Sequence, residues 1–499
     1  MLRTPFTGRA RLALPAPDAG ARPHPTLVLG VILATYLMIV LDASVVITAL
    51  PSVAQQLDFS PAALSWVQSA YALTFGGLLL LGARMGDILG RRRTFMAGVV
   101  LFTFASFLGG LAQTQTWLLG ARALQGVGAA IAAPSTLALL TTTFREGPER
   151  TRALAAYGAV AGGGGSVGLV LGGLLTDWVS WRWGLWINVP VGVALVWLAP
   201  RVLSETERHP GRFDLPGAAT STVGMSALVY GFVRAAEAGW RDALTVASFA
   251  AAATLLASFV MIERRAQQPV TPLRLFASRQ RAGAYLARML LVGGMFSMFF
   301  FLSQYLQGVR GFNPLQAGLA FLPMTAVMFS MVRLVPRLSV RWGDARLLLA
   351  GVSVALAGMA WLSRLNDTTP FFPDIALPLV LLGVGMGAAL APLTGAGLAG
   401  VAPADAGAAS GVLNAAQQLG VSLGVSVLVT VVAAAGGTAS GEGARTGLAL
   451  DGPARVQLAH AVGTALTGSA VLLALGLAVV AAAVRRPRPT TPTVLEVAR

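Results

Sequence analysis

The amino-acid sequence predicts an all-α polytopic membrane protein, and three observations carry that prediction. Of its 499 residues 55% are hydrophobic and only 11% charged, and the mean hydropathy is +0.71, well beyond what a water-soluble chain of this length needs for its core. Apolar runs of about 20 residues, long enough to cross a bilayer at ~1.5 Å per residue, recur along the chain between short polar breaks. The breaks alternate between arginine-rich and arginine-poor.

Residues 1–26 hold Arg3, Arg9, Arg11 and Arg22 among Pro5, Pro15, Pro17, Pro23 and Pro25, so a disordered cytoplasmic tail is expected there. Fourteen spans follow: 27–50, 62–82, 94–112, 117–140, 152–175, 183–203, 217–236, 244–263, 285–306, 316–336, 346–364, 373–395, 410–435 and 461–484. With the amino terminus inside, the cytoplasmic breaks carry Arg84 and Arg91–Arg93, Arg145, Arg150 and Arg152, Arg201, Arg208 and Arg212, Arg264 to Arg281, and Arg337 to Arg346. Arg485, Arg486 and Arg488 follow the last span. The outer breaks carry one or two each, such as Arg182, Arg241 and Arg310, which places both termini in the cytoplasm and the chain in the cell membrane. The break AGVAPADAG, with no arginine, is the weak point of this topology. Residues Gly436–Ala459 read as a flexible outer cover with a short helix at Pro453–Ala459.

The break after the second span, ARMGDILGRRRTFMAGV, resembles the one after the tenth, PRLSVRWGDARLLLAGV. Aligning Gly90 with Gly343 superposes Arg84 on Arg337, Arg93 on Arg346 and Gly98 on Gly351. Two related halves are the expectation, convergent loop chemistry the alternative. Asp87 faces Val340, so the halves are expected to be functionally unequal.

Within the first span, LVLGVILATYLMIVLDASVVITALP, sits one carboxylate, Asp42. A charge at that depth persists only if it faces a polar cavity, pairs with a cation or takes up a proton, so Asp42 is read as the proton site of a transporter. The alternative is an Asp that reaches toward the headgroups. With no cysteine, thiol chemistry and disulfides are excluded, and His24, His209 and His460 form no metal-ligand cluster. No metal or cofactor is expected. The formal net charge of +16 is topological arginine, so nucleic acid is not an expected partner.

The segment Gly82-Ala-Arg-Met-Gly-Asp87-Ile-Leu-Gly90-Arg91-Arg92-Arg93 resembles the signature loop of the major facilitator superfamily, G-x-x-x-x-D-x-x-G-R-[RK]. Gly82 and Gly90 permit tight turns, Asp87 suits a helix amino terminus or an arginine, and the arginines suit the inner leaflet. The resemblance implies a conformational latch between two halves; a purely topological role is the alternative. Further stretches, LDASVVITALP, LLGARALQGVGAA, WRWGLWINVPVG, GFNPLQAGLAFLP and ASGVLNAAQQLGVSLGV, are similar to the fourteen-helix drug/proton antiporter branch. That likeness implies two six-helix bundles, 27–203 and 283–485, with a two-helix insertion at 204–282 and a cytoplasmic tail at 486–499. It also implies transport powered by the proton gradient rather than a cofactor; a monomer is expected.

The chain departs from the branch at Ile47, where Asn is usual, and at Leu169, where the fifth-span motif has proline. That motif is tied in the family to antiport, so symport stays open as an alternative. The glycines Gly164, Gly168, Gly172 and Gly173 remain, at a spacing that allows close helix approach.

Arg122, from the fourth-span motif, is the second intramembrane charge and lies at a depth where it can meet Asp42. A guanidinium favours a charged carboxylate and desolvation a neutral one, so a change in the cavity between them makes a proton switch. A structural tie from Arg122 to backbone carbonyls is the alternative. With one carboxylate and no acidic counterpart in the ninth span, the substrate is expected to be a hydrophobic monocation or neutral drug. Thr35, Met38 and Ile39 on the first span, and Phe296, Phe300 and Gln304 on the ninth, are the candidate cavity residues, with helix packing as their other reading. Arg288 and Arg333 either reach toward the inner face or attract anions. The competing functions are a proton symporter, an exporter of a lipid or endogenous metabolite, and a lipid-modifying membrane enzyme. The enzyme lacks paired carboxylates and a nucleophile–base pair in this sequence.

Overall fold

Apolar segments placed in lipid must satisfy their own backbone hydrogen bonds, and every described apolar run accordingly folds as helix. The computed structural model describes residues 25–144, 148–206, 208, 213–266, 269, 271–401, 405–435 and 452–483. Both predicted tails lie outside the described residues apart from Pro25 and Thr26, as does 436–451 of the predicted outer cover.

The first half comprises α1 (Pro25–Leu57), α2 (Pro61–Leu64), α3 (Trp66–Leu89), α4 (Arg91–Gly110), α5 (Gln115–Thr143), α6 (Pro148–Trp178), α7 (Arg182–Trp186) and α8 (Asn188–Val202). Two further helices, α9 (Leu215–Ala238) and α10 (Ala243–Arg265), pack on each other, and α9 also touches α3 and α16, one helix from each half. The second half holds α11 (Arg279–Gly308), α12 (Pro314–Ala320), α13 (Leu322–Trp342), α14 (Asp344–Leu362), α15 (Ala376–Leu398), α16 (Ala406–Ala434) and α17 (Gly452–Ala483). A helix or a broken pair therefore occupies each predicted span, and no strand occurs among the described residues. Twelve of these units are long and apolar enough to cross a membrane; α6, whose described apolar stretch is Val167–Trp178, and α9 are not among them. Chain reversals carry their own caps: Ser60, Thr114, Asp214, Asp242, Ser278 and Asn313 each accept a hydrogen bond from a backbone N–H in the following first turn.

Two expectations change. Gly82 does not form a turn: α3 runs on to Leu89, and a Cβ at Gly82 would stand 2.0 Å from the carbonyl oxygen of Ala130 on α5. Its glycine is needed for helix approach, and the reversal falls on Gly90 alone, at φ 101°. Pro453–Ala459 is not a separate short helix but the first turns of α17, because nothing breaks the chain between Pro453 and Ala483.

The repeat seen in the sequence has a physical counterpart. Gly90 and Gly343 both sit at positive φ, 101° and 79°, and each makes the one-residue break between two helices. Gly98 packs against Gly128 and Ala132 of α5, and Gly351 against Gly385 and Ala389 of α15. Each pair of helices approaches at a distance a side chain would prevent.

The arginine-rich breaks collect at one end of the molecule. The two halves touch along α3 and α16, where Leu80 packs on Gly411 and Gly76 on Gln418, and they meet again at the other end. There a continuous apolar cluster joins Val46–Leu57 of α1 and Val67 of α3 to Met298–Leu306 of α11 and Phe321. Gln307 donates to the Thr48 carbonyl at 3.1 Å and Ser303 to that of Ile47 at 3.3 Å. Gly173 lies on the backbone of Pro314 and Leu315, and Gly318 on that of Leu169 and Val170. The core of the first half, with Met38, Ile39, Tyr71, Phe95 and Phe102, is a separate cluster. An apolar seal thus joins the two halves at this end.

At the arginine-rich end, Arg274 grips Asp405 through two bonds, Nη2 to Oδ1 at 2.6 Å and Nε to Oδ2 at 2.9 Å. The side-chain hydrogen bond from Arg274 holds the Asp405 carboxyl below its ordinary value. A lowered folded value means that the contribution is complete above the unfolded pKa of about 3.9 and is lost as pH falls through the folded one. Asp405→Asn should therefore lower thermal stability slightly and equally from pH 5 to 8, and the gap to the native protein should close only in strong acid. A gap that varied between pH 5 and 8 would contradict this assignment.

Candidate functional site

Asp42 occupies the middle of α1, 1% exposed, and each of its oxygens is engaged. Arg122 of α5, 0% exposed, donates from Nη1 to Oδ2 at 2.5 Å. Gln125, one turn further along α5, and Asn188, the first residue of α8, donate their amides to Oδ1 at 2.8 and 2.9 Å. Gln125 also bonds Ser106 of α4 at 2.8 Å and accepts from Arg122 at 2.9 Å. Arg122 is further held by a bond from Nε to the Val67 carbonyl at 3.0 Å, and its guanidinium lies 4.5 Å from the Tyr71 ring centroid. Four long helices and α8 thus meet at one ion pair.

The local sequence explains how. Gly126 and Gly128 let α5 lie directly against α3 and α4, since a Cβ at either would meet backbone at 2.4 Å on Tyr71 and 2.6 Å on Phe102. That approach sinks Arg122 and Gln125 into the bundle, where a charge without a partner is strongly disfavoured. A carboxylate accepting three bonds, opposite a guanidinium with a carbonyl and an aromatic face, meets the demand. A small pocket lined by Val45, Val46, Ala49, Val53, Val67, Leu118, Trp181 and Leu185 reaches Arg122 from the sealed end. Trp181, one of its walls, donates to Gln56 at 2.9 Å, and Gln56 also accepts from Arg182 at 2.6 Å. Nη2 of Arg122 is buried without a protein acceptor.

Asp42 and Arg122 stand out in the sequence; Gln125, Asn188, Ser106 and Tyr71 do not. Neutral polar residues inside apolar spans were the available signal: Gln125 is one turn from Arg122, and Asn188 lies within WRWGLWINVP. The signature segment is tied to the stretch just beyond α8. Asp87 pairs with Arg91, the Arg92 N–H donates to Glu205 at 3.0 Å, and the Arg91 N–H donates to Thr206 at 3.2 Å. Glu205 closes over Gly90, where a Cβ would stand 2.6 Å from its carboxylate. On α6, Gly164, Gly168 and Gly172 seat α1 along Val40, Ser44 and Val45, and Gly173 alone reaches across to the second half.

The cavity candidates are dispersed. Thr35, Met38 and Ile39 are buried in the first-half core, with the Thr35 hydroxyl bonded to the Val31 carbonyl at 2.9 Å. Phe300 is buried in the larger cluster and stacks edge-on against Phe301. Gln304 is 8% exposed and turns its amide to the Phe300 carbonyl. Phe296 is half-buried and packs where α11 meets Ala72 and Val421.

Comparison with known proteins adds an independent line. The sequence profile of the Major Facilitator Superfamily matches residues 32–425. The chain is 44% identical over 399 residues to the puromycin resistance protein pur8 of Streptomyces alboniger, covering 78% of each chain. It is 42% identical over 391 residues to the cephamycin export protein CmcT of Amycolatopsis lactamdurans, covering 77% of this chain and 80% of that one. Among solved structures, a bacterial homologue of the human lysosomal transporter Spinster, inward-facing and unoccupied, aligns with a TM-score of 0.64 at 17% identity. That alignment covers 93% of this chain and 98% of the other.

Proposed function

This chain belongs to the major facilitator superfamily and is a transporter rather than an enzyme; from that premise we propose that it is a proton-coupled antiporter exporting hydrophobic, neutral or monocationic drugs or drug-like metabolites across the cell membrane by alternating access. The relatives named for puromycin resistance and cephamycin export support drug efflux. The proton-coupling part rests on one observation: a fully buried Asp42 whose charge is what holds Arg122, Gln125 and Asn188 together.

Protonation of Asp42 removes that charge. Arg122 then loses its counter-ion, the three donors lose an ionised acceptor, and α1, α5 and α8 are free to repack. In this reading the proton enters from the sealed side of the ion pair, and the opposite, arginine-rich end, taken as cytoplasmic, supplies the drug. Because α1 also carries the Ile47 and Thr48 carbonyls that bond α11, a shift at Asp42 is felt at the seal between the halves.

Purified protein in vesicles, loaded with a pH indicator, tests the reading. Drug accumulation against its gradient should drive protons the opposite way and stop on addition of an uncoupler. Proton movement in the same direction as the drug would replace antiport by symport, and accumulation unaffected by the uncoupler would remove proton coupling altogether.

A further inference from the structure

A second intramembrane arginine, Arg288, has no carboxylate to hold it among the described residues. Arg288 lies nine residues, ~14 Å, into α11 from the arginine-rich end. Its Nε and Nη2 both donate to Oε1 of Gln417 on α16, at 3.2 and 2.6 Å, and Nη1 donates to Oγ1 of Thr394 on α15 at 3.3 Å. Among the described residues it forms no ion pair, whereas Arg122 has Asp42. Thr394 spends its own proton on the Leu390 carbonyl at 2.8 Å, so its oxygen faces the guanidinium as an acceptor. Two neutral residues therefore aim the cation and leave its charge uncompensated. Of the five N–H groups of a guanidinium, three are used, and two on the terminal nitrogens are available.

Within electrostatic reach of it is Tyr36 of the first half, which is stacked on Tyr157. Tyr36 of α1 and Tyr157 of α6 stack with ring centroids 4.0 Å apart and planes 13° from parallel, and Tyr157 shares a hydrogen bond with Thr136 at 3.1 Å. Tyr36 is near enough to Arg288 for the two to interact electrostatically. Arg288, Tyr36 and Tyr157 are all half-buried, unlike the sealed Asp42 network. A fixed cation on one half and a flat aromatic wall on the other match an aromatic compound that bears a carboxylate.

We propose that Arg288, with the Tyr36–Tyr157 stack near it, is a subsite for aromatic carboxylates, so that the exporter accepts anionic as well as neutral and cationic compounds. The inference rests on the transport reading given above and extends its substrate class. A carboxylate bound there supplies the counter-ion that Gln417 and Thr394 do not, and its ring spans to the other half. Binding thus links α11 of one half to α1 and α6 of the other.

Two xanthene dyes of opposite charge test it: fluorescein, an aromatic carboxylate, and rhodamine 6G, a cation whose carboxyl is esterified. Uptake into everted vesicles under a proton gradient is measured for the native protein, Arg288→Gln and Arg288→Lys. The native protein should move both dyes. Arg288→Gln should lower fluorescein transport about tenfold or more, as expected for losing a charged hydrogen bond, with rhodamine 6G unchanged or raised. Arg288→Lys should retain part of the fluorescein activity with a higher KM.

Equal fluorescein transport in the native protein and Arg288→Gln, or an equal fall in both dyes, would overturn the subsite. If Arg288→Gln fails to fold, an unchanged fluorescein KM in Arg288→Lys would overturn it instead. Failure of the native protein to move rhodamine 6G would count against the export reading and not the subsite. Fluorescence anisotropy of fluorescein with detergent-solubilised native and Arg288→Lys protein then decides the subsite alone: weaker binding in the variant supports it, and equal binding overturns it.

Discussion

Asp42→Asn abolishes drug export driven by a proton gradient while the protein still inserts and folds. The change is nearly isosteric and makes the site permanently neutral, as if a proton were always bound. The introduced amide keeps an acceptor for Gln125 and Asn188 but turns its own N–H groups toward Nη1 of Arg122, where the carboxylate accepted at 2.5 Å. Breaking one partner of a fully buried pair costs about 3–5 kcal/mol. Part of that is offset because Arg122 keeps the Val67 carbonyl at 3.0 Å and Gln125 Oε1 at 2.9 Å. A lowered melting temperature is the expected accompaniment, and the double variant Asp42→Asn/Arg122→Gln should recover most of it by removing the orphaned cation. Export against a gradient should stay absent in both, while exchange of drug down its own gradient survives. Full gradient-driven export by Asp42→Asn would end the proton-switch account, whatever its stability.

Gly173→Val shifts the protein away from the state sealed at the end opposite the arginines. A Cβ at this position would stand 2.4 Å from the Pro314 carbonyl oxygen and 2.9 Å from Leu315 Cα, both backbone, so no rotamer relieves the clash. Overpacking of this kind costs about 1–3 kcal/mol, and because α6 and α12 belong to different halves, the penalty falls on the sealed state only. A difference of about 1.4 kcal/mol is tenfold in population. Gly165 on the same helix has nothing within 4 Å of its Cβ position, which makes Gly165→Val the control for valine in α6 as such. The chain contains no cysteine, so spin labels can be placed at Gln113→Cys and Thr368→Cys, in exposed loops of the two halves at that end, without a background. The label separation should lengthen in Gly173→Val and stay native in Gly165→Val. Equal distances in all three proteins would show that this contact does not govern closure.

Gly172 makes the contrast plain. It is adjacent in sequence and just as crowded, 2.3 Å from the Val45 carbonyl, yet its neighbour α1 lies in the same half. Substitution there disturbs the first bundle and not the balance between the two ends. Spacing alone grouped Gly164, Gly168, Gly172 and Gly173 together; only the contacts separate the last from the others.

A similar division applies to the charges. That Asp42 and Arg122 lie at one depth followed from counting residues along two antiparallel helices, because helical rise is constant and lipid makes a lone charge costly. Which neutral groups complete the pair did not follow, since Gln125, Asn188 and Ser106 reach it by the rotation of three helices about their axes. Arg288 shows the same limit from the other side. The sequence left it between reaching for the inner face and attracting an anion; its bonds to Gln417 and Thr394 hold it in the protein interior.

What the sequence determined by itself is the helical, membrane-embedded class, the position of each helix, and the two-fold resemblance marked by Gly90 and Gly343, all of which depend on local composition and on rules of solvation. The tertiary structure alone decided that Gly82 packs rather than turns, that Thr35, Met38 and Ile39 face a core, and that the seal lies at the end away from the arginines. Those outcomes depend on which face of each helix meets which neighbour, and spans that are apolar on every side carry too little periodicity to say.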